Sequence, residues 1–315
     1  VNEVLVILSA VLPVFLIAGV GAVLRRFDWL SPSADQSILR LTINVCYPAL
    51  ILETIIGNSA LKQISIIIVA SVIGFGSLVL GILLAWLCRK TARIQDLKQQ
   101  RTFALSVGLF NYGYVPIPLV MMLFDQQTLG VLFVYNLGVE VGLWTVGLAV
   151  LTGATSPREW IKALTAPFYA ILAGLFLNLL NFDKFIPGYI TNTFQMLGHC
   201  AIPLGVLLIG ATMADLFHEF HAKPEPRVIV VGGLIRLVIL PVIFILFAAF
   251  LPIAVELKRV ILIQAAMPAA VLPIVLAKHY GGDPATAMRV VISTTAASLV
   301  MTPFWIRMGS KLLGF

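Results

Sequence analysis

Apolar residues fall along this chain in ten long runs, with charges, prolines and polar residues gathered between them. The runs lie at 4–24, 36–57, 64–88, 102–124, 128–151, 160–181, 191–214, 228–250, 257–280 and 285–308. About 20 apolar residues in a helix cross ~30 Å of hydrocarbon, so the pattern predicts an all-α polytopic membrane protein with ten transmembrane helices, spans 1 to 10. Several starts carry helix-initiating chemistry. Ser31-Pro32 opens span 2 and Asp283-Pro284 opens span 10, each a capping residue followed by proline in the first turn. Ser156-Pro157-Arg158-Glu159 reads as a capping box ahead of span 6, with Trp160 as an interfacial anchor.

Composition supports the membrane reading. Of 315 residues, 60% are hydrophobic and 11% charged, more apolar surface than a soluble fold of this size can bury. The first run is followed by Arg25-Arg26 rather than a small-residue cleavage site, so no cleavable leader is expected. Cys46, Cys88 and Cys200 lie in or at the end of apolar runs, with neither disulfide nor metal spacing. The net charge of +7 would suggest nucleic acid in a soluble protein, but here the basic residues sit in short loops. Loops 25–35, 89–101, 152–164, 215–227 and 278–289 hold 13 Lys and Arg against 6 on the other side. The richer side is the cytoplasmic one, which puts both termini outside the cytoplasm, in a cell membrane.

The chain also repeats. At an offset of 155, Pro32 falls on Pro187, Pro48 on Pro203 and Pro118 on Pro273, and RFDWLSP overlays NFDKFIP. Two halves follow, 1–155 and 156–315, with five spans each. An odd number of spans makes the second half enter the membrane upside down, an inverted-topology repeat of the kind found in secondary transporters. The repeat pairs NYGYVPIPLV at 111–120 with AMPAAVLPIV at 266–275. Span 4 thus carries Pro116 and Pro118, and span 9 carries Pro268 and Pro273. Proline removes a backbone donor and clashes with the preceding turn, so both spans are predicted to break. Broken backbone at membrane depth survives only inside protein or beside a water-filled cavity. The two breaks are therefore expected to cross at the midplane and form a binding site, with half-helix N-termini suited to a carboxylate.

LFNYGYVPIPL, GHCAIPLGVLLIGATM and AAMPAAVLPIVLAKHYGGDP resemble the matching segments of the auxin efflux carrier family of permeases, and the similarity runs along essentially the whole chain. The resemblance implies two inverted five-helix repeats, a scaffold of helices 1, 2, 6 and 7, a transport unit of helices 3–5 and 8–10 around crossing helices 4 and 9, and a homodimer. It implies transport of small organic anions, auxin in plants and dicarboxylates in some bacterial members, with no cofactor. The bile acid:sodium symporters share this general fold, so a sodium-coupled organic anion symporter is the alternative. Two features depart from the plant pattern: the connection between the halves is short, and the asparagine of the second crossover is missing, where Ala266-Met267-Pro268 stands.

The expected solute-binding residues are Asn111, Tyr112, Gly113, Tyr114, Pro116 and Pro118 in the first crossover, Gln264, Met267 and Pro268 in the second, and Asn44 in span 2. Ionisable and polar groups inside a span are functional candidates by default. Glu140, with Asn136 one turn earlier, could carry a proton or help hold a cation, or could bond structurally to Arg236. His199 could relay protons or simply pack. Thr294, among the span 10 hydroxyls, could bind a cation or join helices. HEFH at 218–221 has its histidines three apart, not the four of a zinc helix, so no metal site is expected. No phosphate-cradling loop is present, and the spans hold no nucleophile–base pair or paired aspartates, so enzyme chemistry and direct ATP use are not expected.

Overall fold

The computed structural model describes residues 3–154, 160–219 and 225–315. These residues form ten principal helices: α1 (Glu3–Arg26), α2 (Pro32–Ile55), α3 (Ile64–Cys88), α4 in two halves (Leu97–Gly108 and Pro116–Leu123), α5 (Gln126–Thr152), α6 (Ala166–Leu179), α7 (Gly188–Glu219), α8 (Pro226–Phe250), α9 in two halves (Val255–Ala265 and Leu272–Tyr280) and α10 (Pro284–Leu313). Seven of them, α1, α2, α3, α5, α7, α8 and α10, are long and apolar enough to cross a membrane; α6 is shorter, and α4 and α9 fall short because each is divided. The protein is an all-helical, multi-pass membrane protein.

The helix ends follow the caps. Asp96 accepts from the Gln99 N–H, so α4 begins at Leu97, five residues before the apolar run does. α6 starts later than expected. The Ser156–Glu159 box lies outside the described residues, residues 161–163 form a single tight turn, and the helix proper begins at Ala166. The Thr165 side chain accepts from the Phe168 N–H there, and Pro167 occupies the first turn, where its missing donor costs nothing. α7 runs on to Glu219, past the end of its apolar run.

Prolines act differently by position. Pro13, Pro203 and Pro303 sit inside continuous helices. Pro48 and Pro241 each follow a widened π-turn, Thr42–Cys46 in α2 and Ile235–Ile239 in α8. The carbonyl that a proline ring would strike lies four residues back, at Asn44 and Leu237, inside each widened turn. The freed Leu237 carbonyl accepts from the Trp305 indole N–H at 2.7 Å. In α4 the break occupies residues 109–115, and Pro116 and Pro118 stand in the first turn of the second half. They restart the helix rather than lie in the gap, as Pro273 does in α9, whereas Pro268 lies in the gap itself.

Glycines bring two pairs of helices into backbone contact. A side chain at Gly21 or Gly210 would overlap the backbone of Leu207 or Ala18, so α1 and α7 touch backbone to backbone. Gly74 against Tyr135 and Gly138 against Ser71 do the same for α3 and α5. Small residues let membrane helices approach this closely and gain dispersion contacts. Asn178 of α6 is wholly buried; its Oδ1 accepts from the Gly57 N–H at 2.9 Å and its Nδ2 donates to the Asn58 carbonyl at 2.9 Å. It fastens α6 to the turn after α2.

Candidate functional site

The two breaks meet. The Asn111 N–H donates to the Pro268 carbonyl at 2.8 Å, and the Ala270 N–H donates to the Leu109 carbonyl at 2.9 Å. Phe110 and Ala269 thereby form a single antiparallel bridge. The extended links of α4 and α9 thus pair like two short antiparallel strands. Each break satisfies donors that the other leaves open, which is how unwound backbone persists among apolar helices.

Hydroxyls and a guanidinium complete the second crossover. Thr302 donates to the Ala266 carbonyl at 2.8 Å, and the Thr294 hydroxyl accepts from the Ala269 N–H at 3.2 Å. Arg236, in the π-turn of α8, donates through Nε to the Met267 carbonyl at 3.0 Å. Through Nη2 it reaches the carbonyls of Gln264 and Ala265 at 3.2 and 3.3 Å. It does not bond to Glu140.

α5 holds the first crossover. Asn136, Glu140 and Trp144 follow at four-residue spacing on one face of the helix. Asn136 Nδ2 donates to the Tyr112 carbonyl at 2.7 Å, and Gln264 Nε2 donates to the same carbonyl at 3.3 Å and to Asn136 Oδ1 at 2.9 Å. Glu140 accepts from the Tyr112 hydroxyl at 2.8 Å and from the Trp144 indole N–H at 3.1 Å. Both its oxygens are therefore engaged as acceptors.

Beside the crossing lies a cavity of about 450 Å³, bordered by α2, α4, α5, α6, α7 and α9. Its polar lining comprises Asn111, Tyr112, Asn136, Glu140 and the hydroxyls of Tyr47, Tyr114, Thr165 and Thr212; no Lys, Arg or His lines it. The remainder is aliphatic or aromatic, including Ile43, Phe133, Phe168 and Leu208. Among the described residues the Asn111 side chain has no hydrogen-bond partner, and the buried Tyr47 hydroxyl has none either. Tyr114 packs edge-on against Tyr47, ring centroids 5.4 Å apart, and its ring lies against Gly205 of α7, where a Cβ would overlap it.

The expected residues divide accordingly. Asn111, Tyr112, Gly113, Tyr114, Asn136 and Glu140 line the cavity. Gln264, Met267, Pro268 and Thr294 belong to the crossing but stand behind its cavity face, holding backbone. Pro116 and Pro118 are buried in the first turn of the second half of α4 and do not border the cavity. Asn44 and His199 are corrections. Both are exposed and neither borders the cavity; Asn44 bonds only to the Arg40 carbonyl, at 2.8 Å. Phe220 and His221 of the HEFH segment lie outside the described residues. Residues missed from the sequence are Tyr47, Trp144 and Gly205. Trp144 could have been found by extending the Asn136–Glu140 face one more turn; Tyr47 and Gly205 carry no local signal.

Comparison with known proteins agrees with this architecture. A family model described as "membrane transport protein" matches residues 6–159 and 151–306. An uncharacterized transporter of Methanothermobacter thermautotrophicus is 27% identical over 306 residues, covering 94% of this chain and 96% of that protein. An uncharacterized transporter of Methanocaldococcus jannaschii is 22% identical over 305 residues, covering 95% and 97%. With the match spanning both halves, the chain belongs to the membrane transport protein family, the auxin efflux carrier-type transporters that its crossover segments resemble, and it is a transporter rather than an enzyme.

Proposed function

We propose that this protein is a secondary transporter of small organic anions, working by alternating access with the solute held at the α4–α9 crossing. The observation that carries the reading is the hydrogen-bonded pair of breaks beside a cavity to which Asn111 presents an unengaged amide. In this reading all ten helices cross a cell membrane, as inverted repeats 1–155 and 156–315 with both termini outside the cytoplasm. Helices α1, α2, α6 and α7 form the scaffold of a homodimer; α3–α5 and α8–α10 move.

The cavity favours a particular kind of acid. With no cationic side chain in its lining, it has nothing to neutralise two carboxylates, while its aliphatic and aromatic walls suit an apolar body. A monocarboxylate with a hydrophobic portion fits better than a dicarboxylate. Asn111 and the unwound amides of the first crossover would receive the carboxylate. Pro116 and Pro118 remove two first-turn donors, which leaves that task to residues 111–115. An anion beside an ionised Glu140 would be repelled, so binding is linked to proton uptake at that site.

The lining reaches Thr165 at the start of α6, Thr212 near the end of α7 and Val275 in the second half of α9, all toward the basic-loop side. The conformer is thus read as the one loaded from the cytoplasm. The test is a thermal-shift screen of mono- and dicarboxylates on the purified protein, followed by counterflow in proteoliposomes with any hit. Saturable stabilisation by apolar monocarboxylates and their counterflow would support the reading; stabilisation by dicarboxylates alone would refute the substrate class, and binding without flux would refute transport.

A further inference from the structure

Arg236 is the largest fully buried side chain of the described protein, with 0% of its surface exposed. A charge at this depth is costly unless it is compensated. Among the described residues its compensation contains no carboxylate. It consists of the carbonyls of Gln264, Ala265 and Met267, and the face of the Phe110 ring, whose centroid is 5.0 Å from the guanidinium carbon. The carbonyls of Gln264 and Ala265 are the C-terminal end of the first half of α9, and Met267 follows in the break. A helix end leaves its last carbonyls without intrahelical donors and carries partial negative charge. Thr302 takes the remaining carbonyl of the group, that of Ala266.

Converging main-chain carbonyls at a half-helix end, next to a threonine hydroxyl, make the kind of oxygen site that holds a coupling cation in a discontinuous-helix transporter. Here the oxygens are already occupied by a covalently attached cation. We propose that Arg236 is a built-in counter-charge filling the cation site of the crossing, so that the protein neither needs nor binds a dissociable sodium ion there. One nitrogen, Nη1, is buried with no partner. The cavity makes the same assignment useful. It lacks any cation of its own, and Arg236 stands behind the crossover, bonded to its carbonyls. That last use rests on the proposed transport of anions; occupation of the cation site does not.

The site can be tested without knowing the solute. Purified full-length protein is heated in detergent, with sodium exchanged for potassium at constant ionic strength. The unfolding midpoint of the wild type stays the same. Arg236→Ala lowers the midpoint by several degrees, and millimolar methylguanidinium restores most of the loss, saturably and beyond what equal potassium chloride achieves. Arg236→Lys, which keeps the charge but not the fork, lies between the two and serves if the alanine variant fails to fold. Saturable stabilisation of the wild type by sodium would overturn the proposal. So would an alanine or lysine variant as stable as the wild type, or an alanine variant that methylguanidinium does not rescue. A failed counterflow experiment would remove the transport reading and leave these results standing.

Discussion

Asn111 and Glu140 are separated by what their neighbours leave undone. Asn111 is fixed by its backbone, whose N–H is held by Pro268, while its amide side chain faces the cavity without a partner. Removing that amide therefore costs the fold little and the bound state a hydrogen bond to a charged group, worth about 1.5–3 kcal/mol. Asn111→Ala should weaken solute affinity by roughly 10- to 150-fold, with an unfolding midpoint close to that of the wild type; titration calorimetry with a hit from the carboxylate screen measures the first and a thermal melt the second. Glu140 is the opposite case, with both oxygens already accepting, from Tyr112 and Trp144. If anion binding is linked to a proton on this carboxyl, affinity rises as pH falls, because the protonated form no longer repels the solute. Glu140→Gln mimics that neutral form, so its affinity should be high and flat with pH. A binding titration repeated across the range from acid to neutral decides it, and a variant that keeps the wild-type slope would clear Glu140 of the role. Asn111 was legible in the sequence because it precedes a proline pair. Asn44 and His199 were misread because distance from a proline gives depth along a helix but not which side faces inward.

At the scale of helices, the broken pair was readable and the attachments were not. Two prolines in each of two repeat-related apolar runs marked both breaks, since each removes a rung of the helical ladder. The placement of Pro116, Pro118 and Pro273 within the first turn of a restarted helix, and of Pro268 in the gap, was not marked, because first-turn and interior prolines look alike until the flanking turn is known. The start of α6 shows the same limit: the helix from Ala166 is capped by Thr165 with Pro167 in its first turn, a cap that nothing in the apolar pattern marked. Asn178 is harder still, an isolated amide in an apolar run whose partners lie 120 residues away or more. Its two bonds hold the turn after α2 against α6, at a site with no exposed surface. Asn178→Leu fills similar volume but orphans the Gly57 N–H and the Asn58 carbonyl, each costing about 1–3 kcal/mol. The expected result is a midpoint lowered by several degrees, with solute affinity at the distant crossing unchanged in whatever fraction remains folded.

For the molecule as a whole, the question is which surfaces can slide. Where α1 meets α7 and α3 meets α5, glycine brings backbone against backbone, and such contacts cannot shift without losing all their dispersion energy at once. The contact of α4 with α2 and α7 is different in kind. It includes the aromatic stack of Tyr47 on Tyr114 and the seating of the Tyr114 ring on Gly205, contacts that can be broken and remade as units. Such a seam holds one conformer only as firmly as its side chains fit. Gly205 lies inside α7 with ordinary helical geometry, and the atoms nearest an added Cβ there all belong to the Tyr114 ring. Gly205→Val should leave the protein as stable as before while driving Tyr114 from its seat and shifting the population toward the opposite-facing state. A shift of about 1.4 kcal/mol changes the ratio of states tenfold. The reporter is Thr212, which lines the cavity on the basic-loop side. In a background with Cys46, Cys88 and Cys200 replaced by serine, Thr212→Cys should react with an impermeant thiol reagent supplied from that side, and adding Gly205→Val should slow the reaction by roughly tenfold. An unchanged rate, with the fold intact, would mean that the Tyr114–Gly205 contact does not govern which way the cavity opens.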